Sequence, residues 1–236
     1  MNKILVSDFD GTLYRSDDEL RKNIIAIQKF QKDNNLFVIA TGRSYDDFNN
    51  INKMFNIPYD YIILNNGATI LDKDNNILIN KSIDNTVVNK LQELLRLDSM
   101  EDKDFAFCCS KLNSRVKYNQ SDLTKIAIYY KDSVNVMDVK KMLIDKFSKD
   151  IQVTIGLHHN QIEIVGSGVS KASAIKDLIN VKNVNNYQVF VIGDNDNDYE
   201  MIKKYNGVCM NSATHEIKEI SKYTYDNVYS YIEIIK

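Results

Sequence analysis

The stretch Lys3-Ile4-Leu5-Val6-Ser7-Asp8-Phe9-Asp10-Gly11-Thr12-Leu13 decides how the rest of the chain is read. A short run with consecutive rather than alternating apolar residues fits a strand buried on both faces, as in a parallel sheet. It stops at an Asp-x-Asp-Gly-Thr segment, whose residue types favour turns. Charged groups therefore stand where a buried strand ends. The arrangement recurs outward along the chain. Leu36–Ala40 ends at Thr41-Gly42-Arg43, Tyr61–Leu64 at Asn65-Asn66-Gly67, and Gln188–Ile192 at Gly193-Asp194-Asn195-Asp196-Asn197-Asp198. Helical periodicity lies between them, over 20–32, 45–55, 171–179 and 198–204. Strands alternating with helices predict an α/β fold with a doubly wound parallel sheet.

The alternation breaks in the middle. Residues 68–71 and 77–80 flank Asp72-Lys73-Asp74-Asn75-Asn76 and read as a hairpin. From about Ser82 to Ser167 the pattern becomes helix (87–97), strands (105–110, 115–118, 125–130), helix (136–147), strands (152–157, 161–165). The strands alternate like half-buried antiparallel ones, so an α+β domain is inserted, with one solvated sheet face expected. The expected organisation is core 1–81, inserted cap 82–167 and core 168–236.

The bulk numbers fit this. A length of 236 residues suits one large domain or two modest ones. Hydrophobic residues at 44% and charged ones at 26% are ordinary for a globular protein. A net charge of −2 gives no reason to expect a nucleic-acid partner. No apolar run approaches the roughly 20 residues that span a bilayer, so no membrane association is expected. The N-terminus is too short in apolar residues for a signal-peptide core. Cys108, Cys109 and Cys209 form no disulfide framework and have no zinc spacing. Free thiols suit the cytoplasm, and the adjacent pair reads as strand packing. Nothing in the pattern specifies an oligomer.

In a doubly wound sheet ligands bind beyond the carboxyl ends of the strands. Asp8, Asp10, Asp194 and Asp198 then share one small site, and Lys171 can join them. Two bare charges about 4 Å apart repel by roughly 4 kcal/mol at an effective dielectric of 20. Such a cluster calls for a cation, and an all-oxygen set with few carboxylates suits Mg²⁺. Asp8 could then attack an anionic phosphate to give an acyl phosphate. Asp10 could protonate the leaving oxygen and later deprotonate water. Turn N–H groups, the Thr41 hydroxyl and Lys171 would hold the phosphoryl oxygens.

At this point the chain resembles the haloacid dehalogenase-like superfamily. Asp8-Phe9-Asp10-Gly11-Thr12-Leu13 resembles its first motif, Thr41-Gly42-Arg43 its second, Gly168-Val169-Ser170-Lys171 its third, and Gly193 to Asp198 its fourth. Asn66-Gly67-Ala68 and the insert's position resemble the Cof-type branch, with a C2B-like cap. The resemblance implies that Asp8 is nucleophile and metal ligand, and that Asp10 is acid/base and gives the metal a backbone carbonyl. It implies that Asp194 is a further ligand, that Thr41, Gly42, Lys171 and Asn197 bind phosphate, and that Asp198 supports the metal or Lys171. Candidates for meeting the rest of the substrate are Arg43, Asn66, Arg115 and His158, although an exposed loop is the plainer reading of His158. Asp196, Ala172 and Asn211-Ser212-Ala213 depart from the usual motifs. The expected function is a Mg²⁺-dependent phosphatase of small phosphorylated metabolites, sugar phosphates among them. The rivals are a phosphomutase of the phosphomannomutase type and a non-catalytic regulator on the same fold.

Overall fold

The computed structural model describes residues 1–156 and 160–236, with the side chains of 113–115 left out. In chain order the elements are β1 (Lys3–Asp8), α1 (Asp17–Lys32), β2 (Leu36–Ala40), α2 (Tyr45–Phe55), β3 (Tyr61–Leu64), β4 (Thr69–Asp72) and β5 (Ile77–Asn80). Next come α3 (Asn85–Leu94), β6 (Lys103–Ser110), β7 (Asn113–Val116), β8 (Leu123–Tyr130), α4 (Val136–Phe147), β9 (Ile151–Ile155) and β10 (Gln161–Gly166). The chain finishes with α5 (Lys171–Lys182), β11 (Gln188–Gly193), α6 (Tyr199–Tyr205), β12 (Val208–Met210), α7 (His215–Ile220), β13 (Thr224–Tyr225) and α8 (Val228–Ile235).

The apolar runs pair as their two-sided burial requires. The large sheet has the order β13-β12-β11-β1-β2-β3-β4-β5. All pairs from β13 to β3 are parallel, whereas β4 and β5 join as antiparallel edge strands. Successive side chains along each strand serve opposite helical layers. Leu5, Phe37, Ile39, Ile62 and Leu64 pack with Leu20, Ile27 and Phe30 of α1, Phe48 of α2 and Ile232 of α8. Ile4, Val6, Val38, Ala40 and Ile63 pack with Ile175 and Leu178 of α5, Ile202 of α6 and Ile217 of α7. Full burial of each large apolar side chain is worth about 1.5–3 kcal/mol, so this double layer fixes the register. Because β1, β2, β3 and β11 are parallel, their polar ends emerge on one edge.

The second sheet, drawn from residues 103–166, has the order β7-β6-β8-β10-β9. Its one face carries Cys108, Ile126, Ile128, Ile162 and Ile164 against Val87 and Leu91 of α3 and Leu143 of α4. The opposite face is not simply solvated. It lies over the strand ends of the large sheet, where Lys125, Gln161 and Glu163 are buried. Cys108 and Cys109 are both buried and unpaired on this strand, and burial raises their thiols to about 12 and about 11.

Boundaries shift where the pattern is short. β7 begins two residues before the expected 115, because Lys111 turns the chain in the left-handed conformation (φ 47°). β13 has only two residues, too few to show a period. Among the described residues no helix is long and apolar enough to cross a membrane.

Candidate active site

β1 delivers Asp8 at its last position, and the turn after it is tight. Leu13 N–H donates to Asp8 O and Tyr14 N–H to Phe9 O. Gly11 has φ 84°, and a Cβ there would sit 2.5 Å from Asp194 Oδ2. Only glycine allows both the backbone conformation and the approach of the Asp194 carboxylate. Thr12 Oγ1 donates to Asp194 Oδ1 and so ties the β1 turn to the β11 loop.

Lys171 opens α5. Ser170 caps that helix by accepting from Ser173 N–H while Ser173 Oγ accepts from Ser170 N–H, so the position of Lys171 is fixed. Its Nζ donates to Asp8 Oδ1 at 2.5 Å and to Asp198 Oδ1 at 2.7 Å. Burial works against its charge, but the carboxylates of Asp198 and Asp8 more than offset this and hold its pKa above the usual lysine value. The other oxygen of Asp198 accepts from the N–H groups of Asp194 and Asn195, at 2.9 and 3.1 Å. Asp198 thus shapes the loop as well as placing Lys171.

Carboxylate oxygens of Asp8, Asp194 and Asp198 lie within 4.8 Å of one another. Burial, then the charge of Asp198, pushes the Asp8 carboxyl well above the usual range. The same two causes, in that order, push Asp194 to about 6. Three crowded carboxylates with one shared lysine form a hard, all-oxygen donor set that fits Mg²⁺.

Asp10 takes a separate place. Its carboxylate is held by Arg43, with Nε to Oδ2 at 2.8 Å and Nη2 to Oδ1 at 2.7 Å. The Arg43 guanidinium also lies 5.5 Å from the centre of the Phe9 ring. Thr41 is buried, and its Oγ1 accepts from Arg43 N–H at 3.1 Å. Asn197 Nδ2 donates to Asn66 Oδ1 at 3.0 Å, and Asn66 Nδ2 donates to Glu163 Oε2 at 2.6 Å. Asp8, Asp10, Gly42, Arg43 and Asn197 line one cavity of about 260 Å³. The structure therefore brings together every predicted site residue of the core strand ends and α5. His158 lies outside the described residues, as does the side chain of Arg115.

The cap side of the cavity holds residues that were not singled out. They are Phe105, Phe107, Lys125, Tyr129, Gln161 and Glu163, joined by Asp47 from α2. Lys125 Nζ donates to Glu163 Oε1 at 2.7 Å and to the Gly42 carbonyl at 2.5 Å. Glu163 offsets the burial of Lys125 and raises its pKa. The available signal was a lone charge in each of two strands rich in apolar residues, with opposite signs.

Beyond the strand ends of a doubly wound sheet, then, stands a carboxylate–lysine centre under a lid, the equipment of an acid-cluster hydrolase. A family model described as haloacid dehalogenase-like hydrolase matches residues 5–111 and 98–230. An uncharacterized protein of Mycoplasma capricolum is 30% identical, covering 97% of this chain and 98% of that one. A 5-amino-6-(5-phospho-D-ribitylamino)uracil phosphatase of Bacillus subtilis is 24% identical over 95% of this chain and 90% of its own. Among solved structures, a phosphatase of the haloalkanoate enzyme superfamily from Bacteroides thetaiotaomicron superposes with a TM-score of 0.78 at 21% identity, covering 99% and 95% of the two chains. The chain belongs to the haloacid dehalogenase-like hydrolases, and it is an enzyme of the phosphatase kind.

Proposed function

We propose that this protein is a magnesium-dependent phosphatase of small phosphorylated metabolites that works in the cytoplasm through a phosphorylated Asp8. The observation that carries the reading is the buried Asp8–Asp194–Asp198 cluster with Lys171 among it, opening into the cavity that Asp10 also lines. Asp8 and Asp194 would hold the metal, with Asp198 in reach but engaged by Lys171 and two backbone amides, and Asp10 would add a backbone carbonyl. When bound, Mg²⁺ supplies the positive charge that lets an anionic carboxylate meet an anionic phosphate.

Lys171 pins Asp8 Oδ1, which leaves the other oxygen as the nucleophile. That oxygen forms the bond to phosphorus as the ester P–O bond breaks. Asp10, once released from Arg43, takes the acidic proton of the phosphate monoanion and passes it to the leaving oxygen, and the alcohol departs. Asp10, now a carboxylate, takes a proton from water, whose oxygen attacks phosphorus and releases phosphate and Asp8. Arg43 clamps Asp10 through both carboxylate oxygens. An incoming phosphate gives the guanidinium a second anion to bind, which frees Asp10 to turn toward the leaving oxygen. Thr41, Gly42 and Asn197 complete the phosphate cradle.

The test is hydrolysis of p-nitrophenyl phosphate by purified protein. Turnover should require Mg²⁺ and vanish on chelation. Ca²⁺ should inhibit, because it prefers more ligands at longer distances. Full activity after exhaustive removal of metal would take the metal out of the mechanism, and no hydrolysis of any phosphate monoester would overturn the assignment.

A further inference from the structure

The cavity above Asp8 has two unlike walls. The strand ends make a polar one, with Asp8, Asp10, Arg43, Asn195 and Asn197. The sheet above makes an aromatic one, with Phe105 and Phe107 of β6 and Tyr129 of β8. These rings form a connected group. Phe105 lies 5.6 Å from Phe107 and 5.9 Å from Tyr129, and Phe107 stacks on Tyr129 at 6.4 Å with 26° between the planes. Strand geometry puts them there, because Phe105 stands directly across from Tyr129 and period-two alternation sends Phe107 to the same face.

The polar groups set among the rings are committed to one another. Glu163 Oε1 accepts from Lys125 and from Gln161, and its Oε2 accepts from Asn66. Lys125 is shared between Glu163 and the Gly42 carbonyl. A polyhydroxylated leaving group needs a donor or acceptor for each hydroxyl it buries, or it bears the cost of leaving that hydroxyl unpaired. Freeing Lys125 or Glu163 for such a hydroxyl would break a buried ion pair. Phe105 is 38% exposed and Phe107 is half-buried. Rings attract rings in offset or edge-to-face contact. The cavity is small as well, about 260 Å³ against a usual range of roughly 300–1,000 Å³ for ligand sites, so it admits a phosphate and one modest ring system.

We propose that the preferred substrates are phosphate monoesters of alcohols bearing a planar aromatic ring, which lies against Phe105, Phe107 and Tyr129 while the phosphate reaches Asp8. This rests on the phosphatase reading above. It differs from the sequence-based expectation of sugar phosphates.

Three primary-alcohol esters test it with nearly matched leaving groups: benzyl phosphate, cyclohexylmethyl phosphate and glucose 6-phosphate. The wild type should favour benzyl phosphate in kcat/KM by about tenfold or more over each of the others, the scale of ring stacking by a single residue. In Phe107→Leu, and separately in Phe105→Leu at the more exposed site, the benzyl-to-cyclohexylmethyl ratio should fall to within about twofold of one. Far-UV circular dichroism monitors the fold of each variant. Benzylphosphonate should compete better than cyclohexylmethylphosphonate in the wild type only. Equal or better hydrolysis of the cyclohexyl or sugar ester overturns the inference and leaves the phosphatase assignment standing. A benzyl preference that survives both substitutions also overturns it. Failure to hydrolyse all three esters and p-nitrophenyl phosphate removes the phosphatase reading and this inference with it.

Discussion

At the scale of single residues, Asp8 and Asp10 stand two positions apart and are held in opposite ways. Asp8 is buried against Lys171, whereas Asp10 is clamped at the cavity edge by Arg43. Asp8→Asn should abolish turnover and leave the fold intact, since an amide is a poor nucleophile. Rapid-quench labelling of the wild type should place phosphate on Asp8, and an Asn variant of full activity would refute covalent catalysis. Asp10→Asn should lower kcat by about 10²–10⁴-fold with alkyl phosphates. The loss should shrink for aryl phosphates, whose leaving oxygens need little protonation, provided dephosphorylation is not rate-limiting. A loss that stayed equal across a leaving-group series under single-turnover conditions would remove the acid role. Both carboxylates were legible because they follow an apolar run directly. The clamp was not, because Arg43 lies 33 residues from Asp10 and nothing local pairs them.

At the scale of elements, the buried Lys125–Glu163 pair crosses from β8 to β10, and its hydrogen bonds to Gly42 and Asn66 reach the core strand ends. Removing one partner leaves the other charge uncompensated. Glu163→Gln keeps the shape, so it should cost about 3–5 kcal/mol through stranded Lys125. Adding Lys125→Met should recover part of that loss. Urea unfolding with an unchanged slope would measure it, and a double variant no more stable than the single one would show that the pair carries no coupling. Sequence reading found these strands as alternating but could not say which face did what. In 161–165, apolar Ile162 and Ile164 fill the cap's own core, so the pattern alone predicts solvent at the polar positions between them. They are roofed instead by the large sheet's edge. That burial depends on how two sheets meet, and no period within one strand encodes it. The large sheet was easier, because strands buried on both faces are apolar throughout, whereas its two-residue edge strand β13 is too short to show a pattern.

At the scale of the whole molecule, the loop that carries Asp194 and Asp198 also grips the lid. Asp196 Oδ2 accepts from Lys140 Nζ of α4 at 2.9 Å and from Ile155 N–H of β9 at 3.0 Å. Beside it, Gln152 Nε2 of β9 donates to Glu200 Oε1 of α6 at 2.6 Å. The joints lie near Ser82 and at Gly166-Ser167-Gly168, where Gly168 has φ 67° and a Cβ would meet nothing within 4 Å. The Lys140–Asp196 pair is partly exposed, so solvent screening limits it to roughly 1 kcal/mol or less. Asp196→Ala loses this pair and the Ile155 hydrogen bond, so it should lower the closed-to-open ratio by roughly tenfold, not abolish closure. KM should rise by a similar factor, and the Ile155 amide should lose hydrogen-exchange protection. Lid opening often limits product release, so the dependence of kcat on solvent viscosity should weaken in the variant. Asp196→Asn, which keeps an acceptor for Ile155 but no charge for Lys140, should fall between. If the Ala variant kept wild-type KM, exchange and viscosity dependence, Asp196 would not latch the lid, and closure would depend on other contacts, among them Lys125–Glu163–Asn66 and Gln152–Glu200.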